Sequence, residues 1–357
     1  MNIDKNKPVM VTGGSGYIAS WIIKYLLEDG VDVHATVRDP DNAKKVAHLK
    51  EIADAAPGKL TLFKADLLDR DAFDAPMHGC ELVMHTASPF VIDGITDPQK
   101  ELVDPALQGT EAVLEACNRV ASVKRVVLTT SVAAIYGDAA DMTDLGLSEY
   151  TEQQWNTTSN LEHQPYSYSK TVAERRAWEI AEAQNRWDLL CINPSLVLGP
   201  SLTKATISGS VKLIHDLARG KMYTGAPDLE MGIVDVRDVA MCHIKAGFTP
   251  TASGRHITSS DSGTLMQIAN IWKEHFGNHW KFPMMVAPKC IVWLISPTQG
   301  VTRKFVSRNV GHPLKFDNSY TEKDLGIKFR PIRETVIDHF QQMLDDGLVR
   351  DKRPKAA

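Results

Sequence analysis

The sequence predicts a doubly wound α/β protein, a parallel sheet covered by helices on both faces, followed by a smaller C-terminal α/β lobe. Three observations predict it. Short β-branched runs alternate with longer amphipathic segments through the first half, those runs are too apolar to have a wet face, and Pro and Gly become frequent past Asn193. Strands are expected at 8–12, 32–37, 60–64, 82–86, 125–129 and 189–193, with helices at 17–28, 42–55, 102–119 and 168–185. Helices of that length between strands are the crossovers that parallel neighbours require. Residues 1–193 therefore read as the sheet domain, and 194–350 mainly as the second lobe, with some segments returning to the sheet. In that lobe a strand is expected at 231–235 and helices at 238–248, 264–276 and 332–346, with Asp238 as an N-cap. The charged tail after Asp346, and 351–357 in particular, is expected to fray.

Composition narrows the class. The formal net charge of −4 gives no global reason to expect nucleic acid or an acidic membrane surface. No apolar run approaches the ~20 residues that cross a bilayer, and residues 1–11 carry no secretory hydrophobic region, so a cytoplasmic protein is expected. Five scattered cysteines form no close pair and read as reduced core thiols. The twelve histidines show no ligand spacing, so no metal is expected.

The first strand runs into a glycine cluster, Thr12-Gly13-Gly14-Ser15-Gly16-Tyr17-Ile18-Ala19. Gly14, Gly16 and Ala19 match a dinucleotide fingerprint with a small third residue, and Gly13, Gly16 and Ala19 match its three-residue-spaced variant. A Cβ at such a turn would hold the backbone off a pyrophosphate, and the exposed N–H groups of the following helix favour its charge. At the end of the second strand an acid would hold adenine ribose hydroxyls, whereas a cation accommodates a 2′-phosphate. Arg38 stands there, with Lys44 and Lys45 on the next helix, which favours NADP(H); Asp39 next door leaves NAD(H) open.

Pro165-Tyr-Ser-Tyr-Ser-Lys170 opens a long helix and puts Tyr166 and Lys170 four apart on one face. Carbonyl reduction needs a proton donor beside the substrate oxygen, and free tyrosine, pKa about 10, is a weak one to exchange with near neutrality. Lys170 and an oxidised nicotinamide are expected to bring that pKa down together. Ser131 follows the strand at 125–129, where ligands meet open α/β sheets, and its hydroxyl could hold the oxygen as charge develops. A turn or cap serine is the plain alternative, and Thr130 competes with it.

These segments together resemble an extended short-chain dehydrogenase/reductase on a Rossmann fold. More narrowly, Ala35-Thr-Val-Arg-Asp-Pro40, His85-Thr-Ala-Ser-Pro89 and Asn193-Pro-Ser-Leu-Val-Leu-Gly-Pro200 resemble its dihydroflavonol reductase-like branch, which includes microbial aldehyde and ketone reductases. The resemblance spans about residues 8–346 and is most specific over the first 200. It implies NADP(H)-dependent, reversible carbonyl reduction of a small molecule by a monomer or homodimer, with Tyr166 as acid, Ser131 as oxyanion partner and Lys170 on the nicotinamide ribose. It also implies Arg38 and Lys45 on the 2′-phosphate, Asp66 and Leu67 at the adenine, and Ala87 and Ser88 in the cofactor cleft. Pro194, Leu196, Val197 and Ser208 would meet the nicotinamide, while Phe90, Val132 and Tyr136 would meet substrate. Tyr136 departs from the polar amide of plant flavonoid reductases, which weakens a dihydroflavonol substrate. Two rivals remain open: a nucleotide-sugar epimerase or dehydratase on the same fold, and a non-catalytic NADP sensor, against which the Tyr-Lys pair argues. His85 reads as a structural strand-end residue or a ligand contact. Trp280, Met284, Met285 and Trp293 read equally as pocket lining or core.

Overall fold

The computed structural model describes residues 1–88, 95–204 and 209–353. The chain runs β1 (Val9–Thr12), α1 (Tyr17–Glu28), β2 (Val33–Val37), α2 (Ala43–Asp54), β3 (Leu60–Lys64), β4 (Leu82–His85), α3 (Asp104–Arg119), β5 (Arg125–Thr129), α4 (Pro165–Glu182) and β6 (Asp188–Pro194). Then come β7 (Leu196–Leu198), β8 (Glu230–Asp235), α5 (Val236–Phe248), β9 (Gly254–Thr258), β10 (Asp261–Thr264), α6 (Leu265–Phe276) and α7 (Ile332–Asp345).

Seven strands form one parallel sheet in the order β9-β6-β5-β4-β1-β2-β3. Their uniform apolarity has a simple cause. Val9, Val11, Met84, Val127 and Ile192 pack into one core under α1 and α5, while the alternate residues Met10, Val83, Val126 and Cys191 pack into the opposite core under α3 and α4. From β1 the chain builds outward to β3, then restarts at β4 on the other side. The switch opens a crevice at the carboxyl ends of β1 and β4, the place where such sheets take ligands.

Two segments of the second half return to this sheet. α5 packs on α1, and β9 extends the edge beside β6; the strand at β9 is absent from the sequence reading because Gly254-Arg-His-Ile-Thr258 carries too few apolar residues. The second lobe holds a three-stranded sheet, β10-β8-β7, over α6 and α7. Its core is aromatic: Trp272, fully buried, lies 4.6 Å from Phe340 between ring centroids and donates its indole N–H to the Val336 carbonyl.

Several expectations are corrected. α5 begins at Val236, so its cap is Asp235, whose carboxylate accepts the Arg237 N–H, and Asp238 instead pairs with Arg330. The tail does not fray at Asp346, because Val349 is buried and the Arg350 carbonyl accepts the Trp280 indole N–H; residues 354–357 lie outside the described residues. Four cysteines are buried thiols, but Cys290 is exposed. Trp280 belongs to the lobe core, whereas Met284, Met285 and Trp293 are exposed. No helix among the described residues is long and apolar enough to cross a membrane.

Trp272→Ala should lower the unfolding free energy by about 3–5 kcal/mol through loss of transfer energy and the cavity left behind. Urea unfolding monitored by circular dichroism checks this; a change under 1 kcal/mol would mean that the lobe core carries little of the stability.

Candidate active site

The crevice starts at the glycine turn. Gly13 has φ +67°, a conformation costly for side-chain residues, and a Cβ there would lie 3.1 Å from the Ala87 Cα. A Cβ on Gly14 would lie 3.0 Å from the Cβ of Ala35. Backbone from β1 and from the segment after β4 thus meets without side chains between, the cradle that a dinucleotide pyrophosphate requires. Thr12 holds it shut from below: its hydroxyl accepts the N–H groups of Thr86 (3.1 Å) and Ala87 (3.0 Å) and donates to His85 Nδ1 at 2.8 Å. His85 is therefore neutral, and burial holds its pKa down at about 3 with Lys170 adding to the effect. Thr12 and His85 are buried supports of the cradle.

Ser15 and Ile18 are half-buried and Gly16 is exposed at the start of α1. The Tyr17 hydroxyl is committed elsewhere, donating to the Gly199 carbonyl at 2.5 Å and tying the turn to the second lobe. Arg38 and Lys45 are both exposed at the β2–α2 connection, and Arg38 makes no ion pair among the described residues. Asp39 is occupied by the Asp41 N–H at 3.1 Å. Asp66 is exposed after β3 and caps its own turn at Leu68 N–H, while Leu67 reaches inward toward Gly109.

The other half of the site lies on β5 and α4. Ser131 stands just past β5 and initiates the turn Val132–Ala134, accepting the Ala133 N–H at 3.1 Å. The cap reading and the functional reading coexist, because the Ser131 hydroxyl also lies near enough to the Tyr166 hydroxyl to pull its pKa down. Thr130 points away, donating to Glu174 Oε2 at 2.6 Å. Tyr166 is 38 % exposed. Burial of its hydroxyl end pushes the pKa up to about 12, with the Ser131 hydroxyl pulling the other way. The expected lowering by Lys170 is thus not present in the protein alone. The ammonium lies 5.7 Å from the Tyr166 ring centre and donates to Ser88 Oγ at 2.8 Å. Burial also pulls the Lys170 pKa down to about 8, with Glu174 opposing.

Beyond them Pro194 ends β6, its carbonyl accepting the Ser131 hydroxyl at 3.4 Å, and Leu196 and Val197 lie on β7. Val132 is buried beside half-buried Tyr136, whose ring packs on Tyr150 and Phe316 at 5.6 and 5.4 Å. Phe90 and Ser208 lie outside the described residues. Among the described residues no three His, Cys, Asp or Glu side chains are grouped to hold a metal.

Two features escaped the sequence reading. Gln164, just before Pro165, has φ 55° and ψ 55°, the single positive-φ non-glycine among the described residues. Its amide donates to the Gly137 carbonyl and to Asp138 Oδ1, both at 2.6 Å, which holds the strained residue that launches α4. Glu174, one helical turn past Lys170, is buried on the same face; the spacing was visible, but burial was not.

The profile of the NAD dependent epimerase/dehydratase family matches residues 9–257. The chain belongs to this family. Cinnamoyl-CoA reductase CAD2 of Medicago truncatula is 44 % identical over 269 residues, covering 74 % of this chain and 80 % of that one. An anthocyanidin reductase of Vitis vinifera is 37 % identical over 76 % of this chain and 81 % of its own. The solved yeast methylglyoxal/isovaleraldehyde reductase Gre2, complexed with NADPH, matches with TM-score 0.75 and 28 % identity over 96 % of this chain and 100 % of that one. Within the family the chain falls in the extended short-chain dehydrogenase/reductase group, on its dihydroflavonol reductase-like branch.

Gly13→Ala should weaken NADPH binding by at least ~10-fold, about 1.4 kcal/mol, by forcing a Cβ against Ala87. Titration followed by NADPH fluorescence checks it, and an unchanged dissociation constant would remove the turn from the cofactor site.

Proposed function

We propose that this chain is an NADPH-dependent carbonyl reductase acting on apolar, in particular aromatic, aldehydes or ketones. The observation that carries the reading is the gathering of Ser131, Tyr166 and Lys170 at the carboxyl edge of the sheet, with the Lys170 ammonium 5.7 Å from the Tyr166 ring centre and the Gly13–Ala87 cradle beside it. The residues present fit a dinucleotide, which when bound supplies the hydride.

The protein's own work concerns the oxygen and its proton. Ser131 donates toward the carbonyl oxygen as negative charge grows there. Tyr166 gives its phenolic proton to that oxygen, so C=O becomes CH–OH. A pKa near 12 keeps the donor protonated across the neutral range. The Lys170 ammonium then stabilises the phenolate that remains, and its own field weakens as pH rises past about 8. Reduction should therefore fall on the alkaline side. Tyr150 and Val132 of the neighbouring cluster are buried, and half-buried Tyr136 and Phe316 are its rings with surface left to meet an apolar substrate's body. Exposed Arg38, which makes no ion pair among the described residues, and exposed Lys45 on α2 suit the 2′-phosphate, which supports NADPH over NADH, as does the NADPH bound in the yeast relative.

The test follows NADPH loss against aldehydes, ketones, β-keto esters and nucleotide sugars. An apolar carbonyl should be consumed with stoichiometric NADPH oxidation, and Tyr166→Phe should cut kcat at least ~100-fold. Turnover of a nucleotide sugar without net cofactor consumption would instead support an epimerase. Arg38→Ala should raise KM for NADPH at least ~10-fold, about 1.4 kcal/mol, and leave that for NADH nearly unchanged; a constant NADPH/NADH ratio would exclude Arg38 from that role.

A further inference from the structure

Glu174 is 1 % exposed and lies one turn beyond Lys170 on α4. A buried carboxylate is costly unless every lone pair is engaged. Here Oε1 accepts Arg255 Nε at 2.6 Å, and Oε2 accepts the Thr130 hydroxyl at 2.6 Å and Asn193 Nδ2 at 2.8 Å. The partners come from β9, the end of β5 and β6. The Asn193 amide also donates to the Ser131 carbonyl at 3.3 Å, so the same network grips the backbone that carries Ser131. Arg255 is itself over-determined, donating to the carbonyls of Glu152 and Gln154 and stacking 3.9 Å over the Trp155 ring. Glu174 and Lys170 line one cavity of about 20 Å³, far too small for a substrate. The carboxylate and the lysine thus border one small space, which Ala87 and Ser88 of the cradle segment also line.

We propose that Glu174 is the positioning residue of the Tyr166–Lys170 pair: its clamped carboxylate keeps Lys170 charged and, through Thr130 and Asn193, holds the strand end that presents Ser131. It touches neither cofactor nor substrate and acts through the lysine. This rests on the catalytic reading of Tyr166 and Lys170.

The other groups facing this spot leave the lysine as the one that titrates between about pH 6 and 10. From β4 comes His85, neutral with a pKa about 3; from α5 comes His243, about 4, bonded to Thr129. From β6 comes the Cys191 thiol, pushed well up by burial; from β9 comes Arg255; from α4 itself comes Tyr166, about 12. α3 presents Ala106 and Thr110, and the turn Gln99–Val103 keeps Lys100 on Asp97 and Glu101 on Thr96. The charge of Glu174 raises the lysine's pKa against burial. Removing it should lower the pH at which the ammonium is lost.

The experiment compares full-length wild type, Glu174→Gln, Glu174→Asp and the double variant E174Q/R255M, which leaves no buried charge without its partner. Two readouts are taken: the pH profile of NADPH-dependent carbonyl reduction, and the titration of Lys170 in the cofactor-free protein by 13C NMR of labelled lysine, assigned with Lys170→Arg. In Glu174→Gln and in the double variant both the alkaline limb and the lysine titration should move about one pH unit lower, while Glu174→Asp should keep them near wild type at a reduced rate. If the variants only slow the reaction, with limb and titration in place, Glu174 is a structural residue and the proposal falls. If Tyr166→Phe retains full activity the catalytic reading fails by itself, and the lysine titration still decides whether Glu174 governs Lys170.

Discussion

The carboxyl ends of β5 and β6 and the start of β9 meet on one buried carboxylate, Glu174, and much of the site's geometry follows from satisfying it. Stripping a carboxylate of water costs several kcal/mol, recovered only through well-aimed donors. Of the donors used, Thr130 and Asn193 sit at the carboxyl ends of β5 and β6, and Arg255 near the start of β9. Satisfying the charge therefore aligns those ends. In the proposed mechanism that alignment presents Ser131 beside Tyr166, and the charge of Glu174 opposes the burial that lowers the Lys170 pKa.

The opposite wall of the crevice obeys a steric rule. Gly13 and Ala87 come within contact because neither brings a side chain beyond a methyl group, and Thr12 spends every hydrogen-bonding capacity of its hydroxyl to keep the segment after β4 in place. One side of the site is thus built by absence of atoms and the other by saturation of a charge. The Asp138 network links them to the second lobe: Asp138 accepts from His163 (2.8 Å), Gln164 and Asn309 (2.6 Å each), so lobe contacts reach the strained residue that starts α4.

Much of this was legible in the residues. The glycine turn is visible because its chemistry is the lack of side chains at fixed spacing, and the Tyr166–Lys170 pair because four residues make one helical turn. The apolar strands announced a sheet buried on both faces. Less legible were features defined by their partners. Asp238 looked like the cap of α5, yet Asp235 performs that task, because where a helix begins depends on where β8 ends. β9 was missed since Arg255 and His256 look polar until their partners, Glu174 and Asp324, are in view.

The sequence by itself determined the fold class and was enough to propose the cofactor turn and the reacting groups, because each depends on local spacing and on which atoms a residue carries. Only the tertiary structure decided their electrostatic state: that Tyr166 is pushed up and Lys170 down, that Thr130 turns inward to Glu174 while Ser131 meets the tyrosine, and that His85 is neutral. Burial and long-range hydrogen bonds set those states, and both depend on residues tens of positions apart that become neighbours only when the sheet closes over its two cores.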